Sequence, residues 1–201
     1  MRQLLIATHN KAKLLEIKNA FSTYSALSVV DLSMLNISQD ANETATTFKE
    51  NAKLKATFFA KISHLPTLAD DAGIEIQALN GEPGVHSRRW LGYEASDEEL
   101  IQHTLFRLRE KEGVDRAARL TSCLCIYFPA LKEYVYTQES IDGYIAKKPS
   151  SNRVEGYPYR SLFIVAAYNK YYDELSPKEH DAVNHRIRAL KKIIPEILKL
   201  V

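Results

Sequence analysis

The 201-residue chain predicts an α/β fold built on a mixed β-sheet. Three observations carry this. Short apolar runs of strand length alternate with segments whose apolar residues recur at helical spacing. Two longer strand-like runs, residues 119–128 and 133–145, are separated only by residues 129–132, so part of the sheet is a hairpin. The stretches Thr47-Phe48-Lys49-Glu50, Ser96-Asp97-Glu98-Glu99 and Ser176-Pro177-Lys178-Glu179 have the capping-box spacing of helix starts. No repeat, low-complexity stretch or linker divides the chain, so a single domain over residues 1–201 is expected.

In order, Leu4-Leu5-Ile6-Ala7 reads as a buried strand. The polar turn Thr8-His9-Asn10 leads into a helix over 11–21, where Leu14, Leu15, Ile17, Ala20 and Phe21 share a face. A second strand is expected at 27–30 and a loop at 36–46. Thr47 caps a helix to about Ser63, with Glu50 reaching back, and Pro66 follows it. Thr67-Leu68-Ala69 reads as a short strand ending at Asp70-Asp71. Ile74 and Ile76 suggest a further strand, closed by Asn80-Gly81 and Pro83-Gly84. Ser96 opens a helix to about Lys111. After the hairpin, residues 162–166 form one more strand. Ser176 with Pro177 at the first helical position starts a helix. The last helix runs from about Asn184, and Pro195 is expected to kink or interrupt it.

Composition narrows the function classes. With 45% apolar and 26% charged residues, the chain is neither disordered nor collagen-like nor a disulfide scaffold. A net charge of +2 is too small to argue for nucleic-acid binding, and the basic residues of 186–199 are mixed with Ile and Leu as on a solvated helix face. Cys123 and Cys125 lie two apart in an apolar run with no metal-ligand partners nearby, so they read as core residues in a reducing compartment. No signal-peptide region or membrane-length run is apparent, and a cytoplasmic protein without membrane partners is expected.

Four constellations can carry chemistry. Thr8-His9-Asn10-Lys11-Ala12-Lys13 lies where a strand end meets a helix start. There, unpaired backbone N–H groups and the helix dipole favour an anion, although an ordinary capped surface helix has the same pattern. It is not a P-loop, because no G-x-x-x-x-G-K-[ST] occurs. Asp70-Asp71 places two carboxylates side by side, which a cation would compensate, and Glu43 in the preceding loop offers another; an Asp pair in a turn is the plainer alternative. The turn at 81–90 brings Ser87, Arg88 and Arg89 together, and a guanidinium can bond two phosphate oxygens. His185 and Arg186, with His180 before them, either face solvent or bind a phosphate or base.

The order of these motifs is more specific than any one of them. Thr8-x-Asn10-x-x-Lys13 is followed by Thr47-Phe48-x-Glu50-Asn51-Ala52-x-x-Lys55-Ala56. Then come Ala69-Asp70-Asp71-x-Gly73-Ile74 and Leu79-x-Gly81-x-Pro83-Gly84-Val85-x-Ser87-x-Arg89-Trp90. The series resembles the inosine triphosphatase family, pyrophosphatases that clear non-standard purine nucleoside triphosphates. The match is dense over residues 4–90, thin over 91–150, and returns at 176–190 with His185-Arg186-x-x-Ala189-Leu190.

The resemblance implies an elongated α/β fold with a long mixed sheet flanked by helices, two lobes and a central cleft. It also implies a homodimer and dependence on Mg²⁺. Carried over by position, Thr8, Asn10 and Lys13 hold the triphosphate and Lys55 adds positive charge. Glu43 and Asp71 hold the metal, with Asp71 the base for the attacking water and Asp70 in support. Ala72, Ser87, Arg89, Tyr157, His180, His185 and Arg186 fall at substrate-binding positions.

The chain departs from the family where the base is read. Glu155-Gly156-Tyr157-Pro158-Tyr159-Arg160 replaces an aromatic residue followed by Gly-Tyr-Asp-Pro. Ala72 stands for a hydroxyl residue, His180 for a lysine and Asn184 for a serine. Tyr157, Tyr159 or Arg160 can stack on a base instead. Three alternatives accordingly stand beside hydrolysis of inosine or xanthosine triphosphates. They are a pyrophosphatase of different base preference, a weakly catalytic or inactive nucleotide-binding protein on the same fold, and a nucleic-acid-binding module resting only on the mild basic excess.

Overall fold

The computed structural model describes residues 2–25 and 27–200. Among these, the elements follow in the order β1 (Arg2–Ala7), α1 (Lys11–Phe21), β2 (Leu27–Asp31), α2 (Phe48–Ser63), β3 (Thr67–Ile76) and α3 (Asp97–Arg107). Next come β4 (Ala117–Phe128), β5 (Glu133–Ile145), β6 (Phe163–Val165), β7 (Lys170–Tyr171), α4 (Pro177–Val183) and α5 (His185–Leu200). The strands form one mixed sheet in the order β2-β1-β3-β4-β5-β6-β7. β1 pairs parallel with both β2 and β3, and β6 pairs antiparallel with both β5 and β7. Parallel neighbours need a long crossover, and helices supply it: α1 joins β1 to β2, and α2 precedes β3.

The chain divides into two compact units. The first comprises Met1–Asp71, Ser122–Glu139 and Arg186–Val201. Alternate residues of β1 point to opposite faces, and both faces are covered. Leu4 and Ile6 pack with Ile17, Phe21, Leu190 and Ile194, while Leu5 and Ala7 pack with Ala52, Ala56, Phe59 and Ala69. This double burial is why β1 reads as an unbroken apolar run.

The second unit comprises Ala72–Thr121 and Ser140–His185. Its core gathers Ile74, Ile76, Leu100, Ile101, Leu120, Ile145, Phe163 and Tyr172. Buried within it, Arg116 donates to the carbonyls of Ile145 at 2.6 Å, Leu108 at 2.7 Å and Ala146 at 2.8 Å. One guanidinium thereby satisfies the chain ends of two elements.

Several boundaries correct the sequence expectation. The short strand at 67–69 and the strand around Ile74 are one continuous element, β3, so Asp70 and Asp71 lie within the strand rather than at its end or in a turn. α3 stops at Arg107 rather than near Lys111; the Leu108 carbonyl accepts the Lys111 N–H at 3.0 Å in a turn and the Arg116 guanidinium at 2.7 Å. The reciprocal bond at the start of α2 is donated to Glu50 Oε2 by the Thr47 hydroxyl, at 2.9 Å, rather than by the cap N–H. The strand expected at 162–166 covers only β6, since Leu162 closes a 3₁₀ turn by donating to the Tyr159 carbonyl. Pro195 does not interrupt α5, because Ile193, Ile194 and Ile197 on either side of it are buried in the first unit's core. The capping boxes at Ser96 and Ser176 form in full, and Pro177 takes the first helical position.

Candidate active site

In the first unit, the turn after β1 builds the entry to α1. Asn10 is the N-cap, its Oδ1 accepting the Lys13 N–H at 3.0 Å, and the Thr8 hydroxyl accepts the Asn10 N–H at 3.2 Å. The capped geometry brings Lys13, in the first turn, back over the end of the strand. An open recess of about 490 Å³, lined by His9, Ser33, Asn36, Ile37 and Ser38, adjoins this turn. The buried Leu4–Ala7 run and the two hydrogen bonds of the cap fix the path of the turn.

Lys13 Nζ lies 2.9 Å from Asp70 Oδ2. Asp70, only 1% exposed, is the pivot of a buried network. Ser122 on β4 donates to its Oδ1 at 2.6 Å, and Arg186 Nε donates to its Oδ2 at 3.1 Å. Arg186, itself 2% exposed, also donates from Nη1 to Glu16 Oε2 at 2.6 Å. Burial works to raise the Asp70 pKa, but Arg186, Lys13 and the Ser122 hydroxyl outweigh it and hold the carboxyl well below its ordinary range. Asp70 is therefore an anion that fixes two cations in place. For Lys13, burial is the larger effect and lowers its pKa despite Asp70.

The next residue behaves oppositely. Asp71 is 6% exposed, and burial, reinforced by Glu43, pushes its carboxyl up to about 7 despite Lys55. Lys55, on α2, sits 2.8 Å from Glu43 Oε2 and 3.8 Å from Asp71 Oδ1, and donates to the Asp70 carbonyl oxygen at 3.1 Å. Burial disfavours its charge, yet Asp71 and Glu43 hold its pKa above the ordinary value. Glu43 is held low by Lys55 and by its hydrogen bond to Asp71, against burial. Asp71 Oδ2 is buried with no hydrogen-bond partner. Adjacent strand residues point to opposite faces, so the two carboxyl groups meet different surroundings and their pKa values move in opposite directions.

Among the described residues no cluster of three or more His, Cys, Asp or Glu side chains surrounds a common point. Glu43 and Asp71 offer two carboxyl groups, one with an unpartnered buried oxygen. That donor set suits a hard divalent cation, which takes one or two carboxylates and completes its shell with water and phosphate oxygens.

The other candidates lie in the second unit. Ala72, on β3, contributes no polar side chain. Ser87 is buried in a 3₁₀ turn, accepting from the Ile74 N–H at 2.9 Å and donating to the Gly84 carbonyl at 2.6 Å, so its hydroxyl ties that turn to β3. Arg89, two residues on, is exposed. Tyr157 is half-buried, with the Arg160 guanidinium 3.5 Å from its ring centroid. Arg160 also lies 4.7 Å from the Tyr172 ring, and Tyr172 makes edge contacts with His180 at 5.2 Å and His185 at 6.4 Å. Tyr157, His180 and His185 are thus gathered around Arg160 and Tyr172.

Within the first unit, Lys13, Glu43, Lys55, Asp71 and Arg186 converge on the two faces of the Asp pair. Glu16, Ser122 and Tyr172 were not singled out from sequence. Glu16 has a legible signal, one turn beyond Lys13 on α1. A serine on β4, 52 residues from its partner, has none.

Fold and site together define a class: a mixed-sheet α/β protein with a capped helix start and buried ammonium and carboxyl groups suited to a polyphosphate and a hard cation. The chain belongs to the Ham1 family, whose model matches residues 4–196. It is 34% identical over 193 residues to a protein of Bacillus subtilis named dITP/XTP pyrophosphatase, covering 96% of each chain. A protein of the same name from Exiguobacterium is 38% identical over 201 residues, covering 98% of this chain and 97% of that one. The solved structure of a HAM1 protein from Coxiella burnetii superposes with a TM-score of 0.86 at 31% identity, covering 99% and 100% of the two chains.

Proposed function

We propose that this protein is a nucleoside triphosphate pyrophosphatase that hydrolyses non-standard purine nucleoside triphosphates, such as dITP and XTP, to the monophosphate and pyrophosphate. The observation that carries the reading is Asp71: a buried carboxyl raised to about 7, with one oxygen unpartnered, beside Glu43 and Lys55. A group of that pKa can take a proton near neutral pH. Family membership and the names of the relatives support the substrate class. The family model runs through both units, which supports one functional domain over residues 1–201.

In this reading, the Thr8–Asn10 turn and the start of α1 receive the phosphates, and Lys13 and Lys55 neutralise them. Asp71 takes the proton of the water whose oxygen bonds to the α-phosphorus as the bond to the pyrophosphate oxygen breaks. Asp70 orients Lys13 and Arg186. Glu43 and Asp71 hold Mg²⁺, which when bound withdraws charge from the phosphate oxygens. Arg89, Tyr157, His180 and His185, with the backbone at Ala72, contact the nucleotide, whereas the buried Ser87 hydroxyl, engaged with Ile74 and Gly84, holds its turn instead of the substrate position expected for it. The family resemblance extends the proposal to a homodimer, which light scattering in solution tests. The cytoplasm is proposed as the place of action; separately, among the described residues no helix is long and apolar enough to cross a membrane.

The test is pyrophosphate release across a panel of inosine, xanthosine and standard triphosphates, with Mg²⁺ and with chelator. Preference for inosine or xanthosine and dependence on the cation are expected. Asp71→Asn should lower turnover roughly a thousandfold while the protein stays folded. An Asp71→Asn protein of full activity removes the assignment of the base.

A further inference from the structure

We propose that Lys55 is a resident counter-cation of the Glu43–Asp71 pair, which an incoming divalent cation displaces, so that the lysine is released to the polyphosphate only when the metal binds. The inference rests on reading Glu43 and Asp71 as the metal ligands. Lys55 Nζ is 2.8 Å from Glu43 Oε2 and 3.8 Å from Asp71 Oδ1, and its third contact is the Asp70 carbonyl at 3.1 Å. In the structure the ammonium therefore bridges the two carboxyl groups that a cation would need. The donor left over, Asp71 Oδ2, is buried without a hydrogen-bond partner.

A divalent cation on the same carboxyl groups faces that ammonium at close range inside a buried site, where like charges repel strongly. The conflict is relieved by moving the lysine. Its four-carbon stem is flexible, and α2 anchors the backbone through buried Asn51, Ala52 and Ala56. The acceptors that the reaction brings are phosphate oxygens. Metal and triphosphate binding are then coupled: the metal frees Lys55 for the phosphates, and phosphates that capture Lys55 free the carboxyl groups for the metal. The coupling is reciprocal by linkage. Without nucleotide, Lys55 works against the metal.

The probe is Mn²⁺ alone, titrated into the full chain without nucleotide and followed by calorimetry and by the free-ion EPR signal. Lys55→Gln keeps a donor for the Asp70 carbonyl and removes the charge; it should bind Mn²⁺ about tenfold or more tightly than the parent chain. Lys55→Arg, which keeps the charge, should stay at the parent affinity, and Glu43→Gln should lose binding. Thermal melts establish that each variant is folded, and Lys55→Met carries the same expectation if Lys55→Gln is not. Unchanged or weaker Mn²⁺ binding in a folded neutral variant, with Glu43→Gln still defective, overturns the exchange and leaves the metal ligands standing. Absence of Mn²⁺ binding in both the parent and the neutral variants overturns the exchange together with the metal assignment.

Discussion

The two units organise their polar side chains by different means. In the first, charged groups and one hydroxyl on strands and helices surround the Asp70–Asp71 step: Lys13 and Glu16 on α1, Lys55 on α2, Ser122 on β4 and Arg186 on α5. In the second, stacking does the work. Arg160 lies between Tyr157 and Tyr172, Tyr172 meets His180, and Tyr159 donates to the Ser87 carbonyl at 2.6 Å. Several of these residues sit on 3₁₀ turns and loops rather than on long elements. A charge network on rigid elements tolerates little change, because each ion depends on a partner at fixed distance. An aromatic–guanidinium stack accepts different residues of similar shape. The two clusters are therefore expected to differ in how much substitution they tolerate.

The contrast can be broken most severely at Asp70. Asp70→Asn leaves Lys13 and Arg186 as buried cations without their shared anion, and should cost about 3–5 kcal/mol of stability. Ser122→Ala removes one hydrogen bond from the same carboxylate and should cost about 1–3 kcal/mol. Denaturant unfolding measures both. Near-equal losses would mean that Asp70 is held by its hydrogen bond rather than by its ions.

In the second unit the corresponding residue is Arg116, which binds carbonyls and not carboxylates. Arg116→Met strands those carbonyls and should lower stability by about 2–3 kcal/mol. It is expected to leave Mn²⁺ binding at Glu43 and Asp71 unchanged, which calorimetry on the folded variant checks. Loss of metal binding with the fold intact would show that the two kinds of polar cluster are not independent.

The smallest effect is expected at Asp31, at the end of β2. Its hydrogen bond from Lys18, 2.5 Å from Oδ2, and that from Ser33 lower its pKa to about 2. The folded value is below the unfolded one of about 3.9, so the contribution to stability is complete above that pH and is lost as pH falls towards 2. Lys18→Met should flatten this part of the acid-unfolding profile and leave stability at pH 7 within about 1 kcal/mol of the parent. An unchanged acid limb would assign the shift to Ser33 and the Met34 N–H instead.

Much of the first unit was legible without coordinates. Helical periodicity after the polar turn at Thr8-His9-Asn10 located α1, and periodicity with the Thr47 cap located α2, because capping and amphipathic spacing are local properties. The order of the short motifs identified Lys13, Lys55 and the Asp pair as one constellation. Reading that pair as a strand end failed, since Asp disfavours strands when its charge is unpartnered and the partners lie 52 and 116 residues away. Arg160 illustrates the same limit in the second unit. From sequence it was one of several residues able to stack; the rings that sandwich it are set by packing.

Local order was thus enough for the alternation of strands and helices and for the helix starts, which depend on neighbours a few positions apart. That the Asp70 carboxyl is held low while the Asp71 carboxyl is raised to about 7 follows from the packed chain and not from the local sequence. The two differ by one position along β3, but alternate side chains enter opposite surroundings, and the ions found there come from distant parts of the chain.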